Sequence, residues 1–186
     1  MRVRRIVDFI VFQGAWFAAV LGAAHGRADL GLAAIIGAIA LHFTLVEERR
    51  RESVFLVFAL LFGAAVESAV LIAGLILPRV PTHGYALVPE PWLILLWAVF
   101  AATFSLSLSW LRERYCFGAV LGFAAGPMSY AAGVRLGAVK WGEASSGSSQ
   151  PWPSFLGLGL IWAIAMVVLL RAHARIVGPL SGGLRG

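Results

Sequence analysis

The sequence predicts an all-α integral membrane protein: a six-helix transmembrane bundle with both termini cytoplasmic and the fifth helix kinked at Gly126-Pro127. Three observations predict it. The 186 residues are 60% hydrophobic and only 13% charged, with a mean hydropathy of +0.87, a profile no water-exposed surface tolerates. Six apolar segments, at 6–24, 29–46, 54–77, 91–111, 115–135 and 153–171, approach the ~20 residues needed to cross a ~30 Å hydrocarbon core. The basic residues divide unevenly between the two ends those segments define. One end holds Arg2, Arg4, Arg5, Arg49, Arg50, Arg51, Arg112, Arg114, Arg171, Arg175 and Arg185, the other only Arg27, Arg79, Arg135 and Lys140. The positive-inside rule makes the arginine-rich end cytoplasmic.

The first segment follows Met1-Arg2-Val3-Arg4-Arg5 and has the shape of a signal peptide with a cleavage site near Ala23-Ala24-His25; it is read as a retained first span. Short charged connections, Glu47-Glu48-Arg49-Arg50-Arg51-Glu52 and Arg112-Glu113-Arg114, make the second and third segments, and the fourth and fifth, antiparallel neighbours. The opposite connections, 78–91 and 140–153, are longer and rich in Pro, Gly and Ser, and read as irregular caps with Trp92, Trp141 and Trp152 at the interface. Residues 1–177 form one domain with no room for a soluble one, and 178–186 a flexible tail. The two halves share no pattern that would mark an inverted repeat. The net charge of +6 sits at segment ends rather than in a continuous patch, which argues against a nucleic-acid partner. One cysteine, Cys116, excludes an intramolecular disulfide.

Polar residues inside such segments are costly and carry the functional argument. Glu67 interrupts the third segment roughly 20 Å from its cytoplasmic end, and at that depth it needs a partner, a proton or a role. Trp97, Ser129 and Tyr130 fall near its level, with Gln13 and Trp16 slightly deeper toward the cytoplasm and Arg135 about 6–9 Å further out, able to snorkel or to turn inward as a counter-charge. These seven residues form the candidate ligand-binding set. Pro127 removes one helical hydrogen bond beside them. Gly118, Gly122 and Gly126 form a stripe of small residues that allows close helix approach, and with it a homo-oligomer. The competing reading of the whole layer is structural: small residues for packing, hydroxyls for interhelical bonds.

A second polar set, Asp8, His42, Thr103 and Ser107, with Ser109, lies toward the cytoplasmic end. Thr103 and Ser107, four apart, are expected on one helix face, their hydroxyls bonding back to the backbone. His42 is placed near Glu47. There is no HExxH, Cys-x-x-Cys, G-x-S-x-G or Walker loop, so no cofactor and no metal is expected; His25 with Asp29, and His83 with Glu90, are too weak a pattern to name a metal site.

The segments FQGAWFAAVLGAA, GAAVESAVLIAGL, PEPWLILLWAVFAATFSLSLSWL and GPMSYAAGVRLGAV resemble those of an uncharacterised family of small bacterial inner-membrane proteins, a domain of unknown function. The resemblance covers most of the chain, supplies no catalytic residues, and implies a multi-pass protein of the bacterial inner membrane in a setting of membrane-lipid modification. The function expected is binding of a lipid or apolar small molecule in an intramembrane pocket around Glu67, as an accessory subunit in membrane-lipid chemistry. The alternatives are a proton-coupled transporter using Glu67, an intramembrane enzyme with His42 and Asp8 as acid and base, and an assembly partner.

Overall fold

Long apolar runs with few internal breakers form helices that end where glycine or serine offers the backbone another conformation. In the computed structural model, which describes residues 2–79, 88–142 and 151–178, α1 spans Arg2–Ala24, α2 Ala28–Leu45, α3 Arg49–Ile72, α4 Pro91–Ala102, α5 Tyr115–Leu136 and α6 Trp152–Ile176. All of these but α4 are long and apolar enough to cross a membrane, as in a multi-pass membrane protein. Their outward faces suit hydrocarbon: Leu61 and Ile72 are 70% and 77% exposed. Of the expected tail, residues 179–186 lie outside the described residues, as do the middles of the two long connections, 80–87 with His83 and 143–150.

The short helix α4 is the centre of the bundle. It packs against α1, α2 and α3, and more than half of its 12 residues are buried. The sequence reading carried it to Leu111, but the helix stops at Ala102, and residues 103–108 form turns before a single 3-10 turn at Ser109–Leu111. Hydroxyls at every second position explain the break. Thr103 Oγ1 donates to the Phe100 carbonyl (2.5 Å) and Ser109 Oγ to that of Leu106 (2.7 Å), local bonds that compete with the helical ladder. Thr103 and Ser107 therefore do not share a continuous helix face. Irregular backbone among membrane-spanning helices is tolerated where protein buries it or where it lines a cavity; Thr103, Phe104 and Ser105 are buried, and Ser107 lines the groove described below.

Helices α3 and α5 end alike. Gly74 (φ 61°) and Gly137 (φ 88°) take the left-handed conformation, and the next residue's N–H reaches back to Val70 and Gly133 respectively, a termination that only glycine adopts without strain. Each helix then enters a three-residue strand, β1 (Ile76–Pro78) and β2 (Val139–Trp141), paired antiparallel with Leu77 opposite Lys140. This ribbon replaces part of the irregular caps expected there, and Gly74 explains why the third segment stops short of Leu77. At the ribbon end lie Arg27, Arg79, Arg135 and Lys140; at the other, Arg4 donates to the Leu45 carbonyl (3.5 Å) and Arg51 to that of Val177 (3.2 Å).

The glycine stripe serves close approach of helices within the chain. A Cβ on Gly118 would run into Leu170, and one on Gly122 or Gly126 into Trp162, all of α6 in the same chain. α5 and α6 make the most extensive helix pair. The stripe is filled by α6 of the same chain. Pro127 lies inside α5, which continues as helix to Leu136.

Candidate functional site

Helices α1 and α5 touch over only a short stretch, and between them runs a groove of about 670 Å³ with α4 as its floor. Its walls are apolar, with Phe12 and Trp16 from α1, Leu96 and Phe100 from α4, and Ala125 and Gly133 from α5. It opens outward where Phe9 and Met128, 52% and 65% exposed, flank the gap. A volume in the ~300–1,000 Å³ range and a mostly apolar lining with few polar groups are the usual properties of a small-molecule site.

Glu67 lies at the base of this groove, 3% exposed. Trp97 Nε1 donates to its Oε1 at 2.9 Å, and the Tyr130 hydroxyl donates to the same oxygen at 2.6 Å. Three helices thus fix one carboxyl group. Trp97 itself is clamped: its indole stacks on Trp162 with centroids 4.7 Å apart, while a Cβ on Gly63 would strike Trp97 and one on Gly126 would strike Trp162.

Gln13, Trp16, Glu67, Trp97, Ser129 and Tyr130 all line the groove, so depth counting brings six of the seven candidates together. Ser129 spends its hydroxyl on the Gly126 carbonyl, 2.7 Å away on its own helix. Arg135 is the exception. It is exposed on the last turn of α5 and does not line the groove, and both hydrogen bonds found at Glu67 come from Trp97 and Tyr130.

The second polar set is larger than the sequence suggested. Asp8 accepts the Ser107 backbone N–H at 3.1 Å, which satisfies a donor freed by the break in α4. His42 Nδ1 lies 4.0 Å from Asp8 Oδ1, and its Nε2 lies 3.4 Å from Glu52 Oε2, so its partner is Glu52 rather than Glu47. Ser105 Oγ donates to Glu52 Oε1 at 2.5 Å and lies 2.8 Å from His173 Nε2. Asp8, His42, Glu52, Ser105 and His173 are all buried. Glu52 and Glu67 are both on α3, and fifteen residues at ~1.5 Å each separate the two polar layers by about 22 Å.

Sequence reasoning missed Glu52, Ser105 and His173. Glu52 read as one more charge of a short charged connection, and His173 was not singled out. The available signal was the two-residue spacing of Thr103, Ser105, Ser107 and Ser109, which no single helix face accommodates. On the ribbon side, Asp29 pairs with Arg27 (3.0 Å) and His25 Nδ1 contacts the Leu21 carbonyl (2.8 Å), so these two do not converge on a common ligand position.

Among known proteins, the family described as "Protein of unknown function (DUF2878)" matches residues 5–168. No curated protein and no solved structure matches the chain.

Proposed function

The chain belongs to the DUF2878 family, whose description names no activity, and we propose from its own geometry that the groove between α1 and α5 binds a lipid or an apolar small molecule entering sideways from the bilayer. The observation that carries this reading is a laterally open apolar groove with one fixed polar group, the Glu67–Trp97–Tyr130 layer, at its base. The apolar walls take up hydrocarbon without a polar penalty. Glu67 Oε1 is spent on two donors, and the rest of the carboxyl group orients a polar end of the ligand. In this reading the arginine-rich end faces the cytoplasm, both termini included, and the protein resides in the bacterial inner membrane as a binding partner in membrane-lipid chemistry.

Native mass spectrometry of what is retained in mild detergent tests the assignment, comparing wild type with Ala125→Trp and Glu67→Gln. Ala125 is exposed and lines the groove, so a tryptophan there occupies the space without disturbing the core. A defined apolar species held by the wild type, displaced by Ala125→Trp and weakened by Glu67→Gln, is the expected result. The same bulk phospholipid on all three proteins would sink the reading.

The broken α4 favours a second reading, transport along the groove. Discontinuous helices form substrate sites in many transporters, and here the groove runs from Ser107 beside the break to Glu67. Flux of the retained species from proteoliposomes, lost in Ala125→Trp, separates transport from simple binding.

A further inference from the structure

The buried cluster at the arginine-rich end plays no part in the groove reading, yet its connectivity is specific. Five side chains from five separate segments, α1, α2, α3, the break after α4, and α6, meet in one layer. Ordinary helix packing does not require this. A buried hydroxyl needs one acceptor, and a buried carboxylate flanked by two imidazoles and a hydroxyl is a costly way to join helices. The arrangement instead places His173, Ser105 and Glu52 within direct proton-transfer distance of one another in turn, with His42 hydrogen-bonded to the far oxygen of Glu52.

The contacts form a chain. His173 Nε2 faces Ser105 Oγ (2.8 Å), Ser105 Oγ faces Glu52 Oε1 (2.5 Å), Glu52 Oε2 faces His42 Nε2 (3.4 Å), and His42 Nδ1 faces Asp8 Oδ1 (4.0 Å). The two histidines approach opposite oxygens of one carboxyl group, directly from α2 and through a hydroxyl from α6. His42 Nδ1 is buried and has no hydrogen-bond partner among the described residues, so it is open to take a proton from Asp8 after a small side-chain shift. The charged and titratable groups around the cluster are Asp8, His42, Glu52 and His173 themselves and Arg112, which lies within electrostatic reach of His173. Arg112 bears its Nε and Nη2 buried, with no hydrogen-bond partner among the described residues.

We propose that Asp8, His42, Glu52, Ser105 and His173 form a proton-transfer site in which the Ser105 hydroxyl relays a proton between His173 and Glu52. In the elementary step His173, protonated on both nitrogens, gives its Nε2 proton to Ser105 Oγ while the Ser105 proton passes to Glu52 Oε1. Imidazolium and carboxylate become imidazole and carboxylic acid, and the serine is regenerated. His42 and Asp8 continue the path toward Ser107, whose N–H Asp8 holds and which lines the groove. This site is distinct from Glu67 and stands whether or not the groove binds a lipid.

The test uses the full chain in phosphatidylcholine nanodiscs. Histidine side-chain 15N shifts follow His173 and His42 through a pH titration, and infrared difference spectra follow the protonated-carboxyl band identified by its loss in Glu52→Gln. Linked groups titrate as one unit, so in the wild type the Glu52 band and the His173 signal change at shared midpoints. Ser105→Ala separates those midpoints by at least about half a pH unit, a threefold change in the proton equilibrium, and Ser105→Thr, which keeps the hydroxyl, brings them back together. A serine that only donates to Glu52 would raise the Glu52 midpoint alone when removed, so the relay requires the His173 midpoint to move as well. Unrelated midpoints in the wild type, or shared ones that survive in a folded Ser105→Ala protein, overturn the proposal. Where Ser105→Ala does not fold, His173→Gln takes its place: the Glu52 midpoint must then move, and a fixed one overturns the proposal equally.

Discussion

Trp97 and Trp162 stack with their ring centroids 4.7 Å apart and their planes 18° from parallel. Each indole lies against a glycine of another helix, Trp97 on Gly63 of α3 and Trp162 on Gly126 of α5. Four helices are therefore joined through two rings in a glycine–indole–indole–glycine sandwich. Trp97 also donates to Glu67, so the side chain that sets the helix spacing also positions the buried carboxyl group. Such aromatic pairs add about 0.5–1.5 kcal/mol beyond the area they bury.

Gly126→Ala tests that sandwich. The new methyl group would meet Trp162 at its Cβ and Cγ, atoms anchored to the α6 backbone that cannot swing aside. A loss of about 1–3 kcal/mol is expected from overpacking, read as a lowered unfolding midpoint in detergent. Gly14→Ala and Gly37→Ala are the controls. A Cβ at either position meets nothing within 4 Å, so both are expected to be neutral or to stabilise by up to about 1 kcal/mol, the helix-propensity gain of alanine over glycine.

Trp97→Phe and Tyr130→Phe each remove one donor to Glu67 Oε1 while keeping an aromatic ring. Each is expected to cost about 1–3 kcal/mol, the range for losing a hydrogen bond to a buried acceptor. Because the two donors share one oxygen, the double variant should depart from the sum of the singles by at least about 0.5 kcal/mol. A double-mutant cycle on thermal or denaturant midpoints measures the coupling, and strict additivity would mean that the two donors do not share Glu67.

The sequence made the groove layer legible because depth along a helix is simple arithmetic: at ~1.5 Å per residue, Gln13, Glu67, Trp97 and Tyr130 must come to similar levels if their helices cross the same slab. It could not say which way a side chain turns. Arg135, one and a half turns beyond Tyr130, points outward. The glycine stripe was legible as a packing device, but the neighbour it serves is a property of the whole bundle, and α6 was as good a candidate as a second copy. The break after Ala102 was hidden by apolar residues, since Phe104, Leu106 and Leu108 keep the hydropathy high while the alternating hydroxyls undo the helix. With the break unseen, the meeting of Ser105 with Glu52 and His173 could not be foreseen.

Asp8 is expected to hold that break in place. Asp8→Ala leaves the Ser107 N–H without the acceptor it has now and should cost about 1–3 kcal/mol. Asp8→Asn keeps a carbonyl oxygen at the same place and should cost less. Amide hydrogen exchange resolves the effect locally: residues 103–111 should lose protection in Asp8→Ala while the centre of α3 keeps its own. Uniform loss across both would show that Asp8 supports the bundle as a whole rather than the broken segment.

Cys116 offers a direct reading of orientation. It is the chain's single cysteine and is exposed in the first turn of α5, beside Arg112 and Arg114 at the arginine-rich end. If that end faces the cytoplasm, a membrane-impermeant maleimide should leave Cys116 unmodified in intact spheroplasts and modify it after permeabilisation. The complementary protein, Arg27→Cys in a Cys116→Ser background, places the thiol at the exposed α1–α2 junction at the opposite end and should react before permeabilisation. Both results together require an odd number of crossings between residues 27 and 116. Since α2 and α3 supply two crossings, the short α4 with its broken continuation must complete the third. Labelling of both thiols from the same side would instead mean that residues 91–111 enter the bilayer and return.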